Sequence, residues 1–196
     1  MVPGRFQLVM EMIVDAFDGL TRETLGAERG RKYLPLVGSL FLFIWVSNLV
    51  ALIPIPGFEE PTKDLHITLG LAIFVAVVVH ASAIRCNGPW KYVLEYFEPM
   101  IKIKGVKIPN LFMFFLNVVG EIGKVISHGF RLFGNIFGGA IIMLVFASLI
   151  KSIVLPIGLQ AFFGLFVGTV QAFVFAMLAL TYIAVMIAGE EEEAKE

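Results

Sequence analysis

Three observations predict an all-α integral membrane protein: long tracts without charge, too little charge overall for a chain in water, and no strand-like alternation. Of the 196 residues, 58% are hydrophobic and 16% charged, with a mean hydropathy of +0.88. Soluble domains carry about 25% charged residues. No Asp, Glu, Lys or Arg occurs between Tyr33 and Phe58, between Leu65 and Ile84, or over the 38 residues from Ser152 to Gly189. A hydrocarbon core about 30 Å thick is crossed by roughly 20 apolar residues in a helix. Each stretch is long enough, and the third leaves room for strong tilt. A fourth apolar tract, Ile108 to Ile150, contains Glu121, Lys124 and Arg131, which makes four or five spans in all. The tracts are continuous, unlike the alternating segments of a membrane barrel. The architecture expected is an interfacial N-terminal helix, two spanning helices and a long, tilted two-helix hairpin.

Residues 1–33 form the amphipathic interfacial segment. Phe6, Met10, Ile13, Val14, Phe17 and Leu20 share one helical face, and Glu11, Asp15, Asp18 and Arg22 the other. Nothing after Met1 resembles the apolar run of a signal peptide. The transmembrane helices of residues 34–84 follow, one from about Leu34 to Ile53 and one from about Ile67 to Ile84. Between them stands a short acidic loop that opens at Pro54-Ile55-Pro56-Gly57. Residues 85–108 are a polar connection, with a turn signal at Asn87-Gly88-Pro89 and Trp90, Tyr92 and Tyr96 as interface anchors. The helical hairpin occupies residues 109–189 and turns near Leu155-Pro156; an acidic tail, 190–196, ends in solvent. Five Lys or Arg fall in the first 33 residues and five between Arg85 and Lys107, against one between Pro54 and His66. The positive-inside rule therefore puts both basic segments in the cytoplasm and the acidic loop outside.

Arg131 is the residue that most needs explaining. A guanidinium inside a bilayer costs about 2.5–3.5 kcal/mol on insertion scales and 10 or more in simulations, and it cannot shed its proton. It must meet an anion, water or a polar groove. Lys124, Ser127, His128, Arg131, Asn135 and Gly138 recur at spacings of three and four and are expected to share one stripe. Gly134, Gly138 and Gly139 thin that surface so that another helix can approach. A partner helix bearing a carboxylate would fit. A structural Arg paired inside the chain, with Glu121 for instance, is the plainer reading. Two others stay open: an autonomous membrane channel or secondary transporter that binds an anion at Arg131, and a non-conducting assembly subunit. No Walker motif is present, and three scattered histidines with a lone Cys86 make no metal-ligand set. Neither cofactor nor metal is expected, and with a net charge of −1 no nucleic-acid partner.

Ser127-His128-Gly129-Phe130-Arg131-Leu132-Phe133-Gly134-Asn135 resembles the R-L-F-G-N signature of subunit a of F-type ATP synthases. Val2-Pro3-Gly4-Arg5-Phe6-Gln7 is similar to the family's V-P-x-x-x-Q segment. Ser47-Asn48-Leu49-Val50-Ala51-Leu52-Ile53-Pro54 is similar to its N-L-x-x-L-I-P, His66-Ile67-Thr68-Leu69 lies where N-x-T-L is usual, and Gln171-Ala172-Phe173-Val174-Phe175 resembles Q-A-F-x-F. These matches keep the family's order over nearly the whole chain. The resemblance implies a non-catalytic, multi-pass subunit of a bacterial inner (plasma) membrane, working against the rotating c-ring and beside the peripheral-stalk subunit b. ATP chemistry would belong to other subunits.

It further implies that Arg131 faces the ring's ion-carrying carboxylate as the gate between two half-channels, and that Gln171 hydrogen-bonds its guanidinium. The plainer alternative for Gln171 is a lone core amide satisfied by backbone. Asn135 is a second partner or a channel-lining group, and Ser127 and His128 lie on the same face; the family usually has an apolar residue at the position of His128. Glu121 and Lys124 either neutralise each other or line a channel. His80 is a channel residue or a satisfied bundle histidine. Two departures stand out. The family often places ionisable residues where this chain has Ala140 and Gly164, so its access route from outside is expected to use His66, Asp64, Thr169 or Tyr182 instead. The family also has a membrane helix ahead of the V-P segment, so a first helix is expected to be missing here. The choice between H⁺ and Na⁺ rests mainly with the ring's own site.

Overall fold

A computed structural model describes residues 4–52, 61–97, 101–103, 106–108, 110–149 and 154–193. Helix α1 (Arg5–Leu25) ends at Gly26, whose φ of +82° suits glycine, and α2 (Ala27–Leu49) starts at once. The break at Gly26 transfers residues 27–33 from the interfacial segment to the spanning helix. Glu28 then sits in the first turn of α2, where the helix dipole favours an acid. Helix α3 (Leu65–Asn87) is capped by Asp64, which accepts the His66 backbone N–H at 2.8 Å. It stops at Gly88 (φ +78°), and Pro89 opens the short α4 (Pro89–Glu95), a position that proline tolerates.

A small antiparallel hairpin, β1 (Ile101–Ile103) and β2 (Val106–Ile108), with Lys102 opposite Lys107, lies in the connection, where a polar segment without strands was expected. Helix α5 (Leu111–Leu149) has 39 residues, about 58 Å at 1.5 Å per residue. That is nearly twice the thickness of a bilayer core. Its N-terminus is capped by Asn110 Oδ1, which accepts from the Phe112 N–H at 3.1 Å. The returning arm is α6 (Val154–Ala161), one π-helical stretch (Phe162–Val167) and α7 (Gly168–Glu193), so helix continues into the acidic tail. Gly164, at one of the two departures from the family pattern, is buried within the π-helical stretch.

Four helices are long and apolar enough to cross a membrane: Ala27–Leu49, Leu65–Cys86, Leu111–Phe146 and Gly158–Ile187. The fold is that of an all-α integral membrane protein. Its core centres on α7, whose Ala172, Ala176 and Ala179 are fully buried and let α2 and α3 approach closely. Val37, Leu40 and Ile44 of α2 and Val75 and Val79 of α3 fill the space around Phe175, Leu180 and Ile183. Helix α1 docks through Phe17, which lies 4.8 Å from Phe41 and 6.2 Å from Phe173 between ring centroids. Near the α2–α3 turn, Asn48 donates to the Gly168 carbonyl (2.9 Å) and accepts from Thr62 (2.9 Å), so its buried amide is satisfied on both sides. Helix α5 is peripheral. Only 17% of its apolar stretch is buried, against 44% for the α6–α7 arm, and Phe115, Ile122, Phe130, Phe137 and Leu144 stand exposed.

Candidate functional site

Arg131 lies near the middle of α5. Leu132, its neighbour, is fully buried in the core and sets the helix rotation, which leaves Arg131 exposed on the outer side. No hydrogen bond or ion pair joins Arg131 to another described residue. Glu121, the intrachain acid considered as its partner, is held by Lys124 at 2.6 Å instead. One turn beyond Arg131, Asn135 Nδ2 donates to Gln171 Oε1 at 2.6 Å. Gln171 is 4% exposed, and its Nε2 has no partner among the described residues. The Gln171–Arg131 bond implied by the resemblance is therefore not formed. Asn135 takes the Gln171 oxygen and ties α5 to α7 beside the guanidinium.

The expected stripe divides. Lys124, Ser127, Arg131 and Asn135 are exposed, and a Cβ added at Gly134 or Gly138 would meet nothing within 4 Å. His128 turns inward, 3% exposed, with its ring 3.8 Å from Phe175 and 5.7 Å from Tyr182 between centroids. Gly139 also turns inward, where an added Cβ would lie 3.0 Å from the Phe163 ring. Beside His128 a cavity of about 170 Å³ opens between α3, α5 and α7; His80, Glu121, Lys124, Thr181 and Tyr182 also line it. His80 Nδ1 lies 3.1 Å from Tyr92 Oη, which lies 2.8 Å from Tyr96 Oη. Both tyrosines are expected from sequence to be membrane-interface anchors. Their spacing of four on one helix was the available signal, but only the fold brings His80 to them.

The four residues proposed for the outside access route do not converge. Thr169 accepts a hydrogen bond from Trp45 Nε1 at 2.9 Å and donates to the Leu165 carbonyl. Tyr182 is thirteen residues further along α7, about 20 Å away, and belongs to the His128 cavity. His66 and Asp64 pair at the exposed start of α3, Nδ1 to Oδ1 at 2.8 Å. The His66 backbone N–H, and next its ring, hold the Asp64 carboxyl below the ordinary 3.8. A lowered folded-state pKa makes this cap fully stabilising above 3.8, with the benefit lost as pH falls through the depressed value. The His66 amide shift in an NMR titration is expected to follow a midpoint below 3.8. In His66→Ala, which keeps the N–H and loses the ring, that midpoint should rise part of the way back. A wild-type midpoint at or above the ordinary value would contradict this account of the cap.

Four membrane-length helices, one of them carrying an exposed guanidinium with no acid partner among the described residues, define a polytopic membrane protein. Residues 1–184 match the family ATP synthase A chain. Among curated relatives, "ATP synthase subunit a" of Geotalea daltonii is 38% identical over 183 residues, 93% of this chain and 74% of the relative. Its namesake in Moorella thermoacetica is 38% identical over 188 residues, 96% and 79% of the two chains. That of Helicobacter pylori is 35% identical over 191 residues, 97% and 80%. The chain belongs to the ATP synthase A chain family.

Proposed function

We propose that this chain is the stationary half of the ion path of a rotary ATP synthase, with Arg131 as the gate between two half-channels that open on opposite sides of the membrane. The observation that carries the reading is an exposed Arg131 without an acid partner among the described residues, on a helix face that Gly134 and Gly138 leave open. A c-ring packed against α5 would present its carboxylates there. An ion from outside neutralises a ring carboxylate, which then turns into lipid; after nearly a full turn it meets the other half-channel and releases the ion to the cytoplasm. Arg131 favours the ionised carboxylate at the crossing and repels a cation that would leak straight through.

The magnitudes are suited to a gate. At 4 Å and an effective dielectric of 20 the attraction is about 4 kcal/mol, enough to bias ionisation while letting the ring move on. One charge crossing 100 mV supplies about 2.3 kcal/mol, so torque accumulates over several steps. The Asn135–Gln171 pair supports the reading by fixing α5 against α7 at the level of the gate. The basic segments orient the N-terminal segment and the α3–α5 connection toward the cytoplasm. Subunit b of the peripheral stalk would hold the chain against rotation, and the bacterial relatives favour a bacterial inner membrane.

Vesicles containing the chain alone, or the chain with its ring and stalk, test the reading through proton uptake driven by a potassium diffusion potential. Uptake is expected only when the ring is present. Conduction by the chain alone at the same rate would replace the rotary reading with an autonomous channel.

A further inference from the structure

The connection between α3 and α5 carries more positive charge than its own acids can neutralise. From Arg85 to Lys107 there are five basic residues against two acids, Glu95 and Glu98. Two of the lysines, Lys102 and Lys107, are directly paired in the register of the β1–β2 hairpin, and like charges at paired positions destabilise a two-stranded ribbon. Two strands alone are in any case marginal in water. An anion at the paired lysines would remove the repulsion, and an apolar layer beneath the ribbon would supply the burial it lacks. The register provides for both: Lys102 and Lys107 hold positions of one face, and Ile101, Ile103, Val106 and Ile108 those of the other.

The neighbouring elements put this ribbon at a bilayer surface. The apolar span of α3 ends at Cys86, with Arg85 exposed in its last turn. In α4, Tyr92 and Tyr96 turn in toward His80, while Trp90, Val93 and Leu94 stand outward, Trp90 80% exposed. A tryptophan exposed at the end of a span belongs at headgroup level. On the other side, Ile108 is three residues from Leu111, at most about 11 Å, and Leu111, Phe112 and Phe115 open α5 with exposed apolar side chains. Phe97, stacked on Phe114 at 4.8 Å, and Asn117, which donates to the Tyr96 carbonyl at 2.9 Å, tie the end of α4 to the first turns of α5.

We infer that this connection binds an anionic phospholipid of the cytoplasmic leaflet, its phosphate at the paired Lys102 and Lys107 and its acyl chains against the Trp90 face of α4. The inference does not depend on the role of Arg131. Charge complementarity selects the occupant: an anionic leaflet attracts a basic segment beside a span by about fivefold for each Lys or Arg. A zwitterionic phospholipid has no net charge to offer. An acidic protein segment would meet the lysines but leave Trp90, Val93 and Leu94 in water. An anionic lipid answers both needs at once, since its phosphate neutralises the like-charged pair and its chains cover the apolar face. The basic character of the connection puts it on the cytoplasmic side.

The test is native mass spectrometry of the full chain released from nanodiscs made of equal amounts of phosphatidylglycerol and phosphatidylcholine with matched acyl chains. The wild-type chain is expected to retain phosphatidylglycerol in excess. Lys102→Gln or Lys107→Gln should lower the ratio of the two bound lipids by about fivefold, and both together by about 25-fold. Lys102→Arg with Lys107→Arg should keep the ratio, because the charge is what is read. Arg31→Gln with Lys32→Gln removes the same charge from the start of α2 and should leave the ratio close to that of the wild type. An equal fall in that control makes the attraction diffuse and overturns the site, as does equal retention of the two lipids by the wild type or an unchanged ratio in the double glutamine variant. Excess inorganic phosphate should leave the bound lipid in place; its displacement would make the lysines a site for free phosphate instead. The measurement is then repeated on the complete complex. An excess of phosphatidylglycerol that depends on Lys102 and Lys107 there too supports the lipid, and its loss on assembly gives the surface to a neighbouring subunit.

Discussion

Arg131→Ala and Arg131→Lys are each expected to abolish ion-driven ATP synthesis in vesicles that contain the otherwise intact complex. On the proposed reading, alanine removes the charge that Arg131 would present to the ring at the crossing. The loss is about 4 kcal/mol of bias toward the ionised carboxylate, on the order of 1000-fold in its population at the gate. Lysine keeps a charge in water but not here, because a desolvated ammonium gives up its proton more easily than a guanidinium does. The Lys variant therefore retains packing and loses coupling. Leu132 is the neighbour that seats α5 in the core, and Arg131 points away from it, so the ring should co-purify with both variants. Normal coupling in either one, with assembly intact, would make Arg131 a structural cation and send the search for the gate elsewhere.

Arg131 could be found from sequence because its signal is local: a permanent charge inside an apolar tract has few physical explanations. The number of spans was legible to within one for the same reason, since bilayer thickness imposes a length on each: four or five were expected and four membrane-length helices are present. What escaped was whatever tertiary packing decides. Ser127 and His128 are adjacent, 100° apart on a helix, and either could have accompanied Arg131. The Phe175 ring draws His128 inward while Ser127 stays out. Gln171 looked free to bond Arg131, but Asn135 reaches its oxygen first. Thr169 and Tyr182 looked like alternatives for one route until their separation along α7 placed them in different surroundings. The Gly26 break was also hidden, because a glycine beside charged residues can continue an interfacial helix as easily as end one. The departures at Ala140 and Gly164 were plain in the sequence. That Gly164 would lie inside a π-helical stretch, a feature frequent at functional sites, was not.

Gly30→Ala is expected to cause the largest loss of stability among alanine substitutions of the glycines whose surroundings are described. An added Cβ at Gly30 would stand 2.6 Å from the Thr21 carbonyl oxygen and 2.7 Å from both the Cα and N of Arg22. These are backbone atoms of α1, so no side-chain rotation relieves the clash; the whole helix must move. It cannot move freely, because Phe17, one turn before Thr21, is buried between Phe41 of α2 and Phe173 of α7. Forced displacement of packed elements costs about 1–3 kcal/mol, and a valine at the same site should cost more. Gly19→Ala and Gly38→Ala are the controls. They lie in α1 and α2 with nothing within 4 Å of an added Cβ, and replacing a helical glycine there should raise stability by about 0.5–1 kcal/mol. Thermal unfolding of the detergent-solubilised chain should thus move in opposite directions for Gly30 and for the two controls. The consequence reaches the gate, since Phe173 is two residues from Gln171. Loosening α1 removes packing from the segment of α7 that positions the Asn135–Gln171 pair, so Gly30→Ala should lower coupled transport more than its effect on complex yield accounts for. Equal melting temperatures for Gly30→Ala and wild type would mean that α1 does not dock on α2 through this contact.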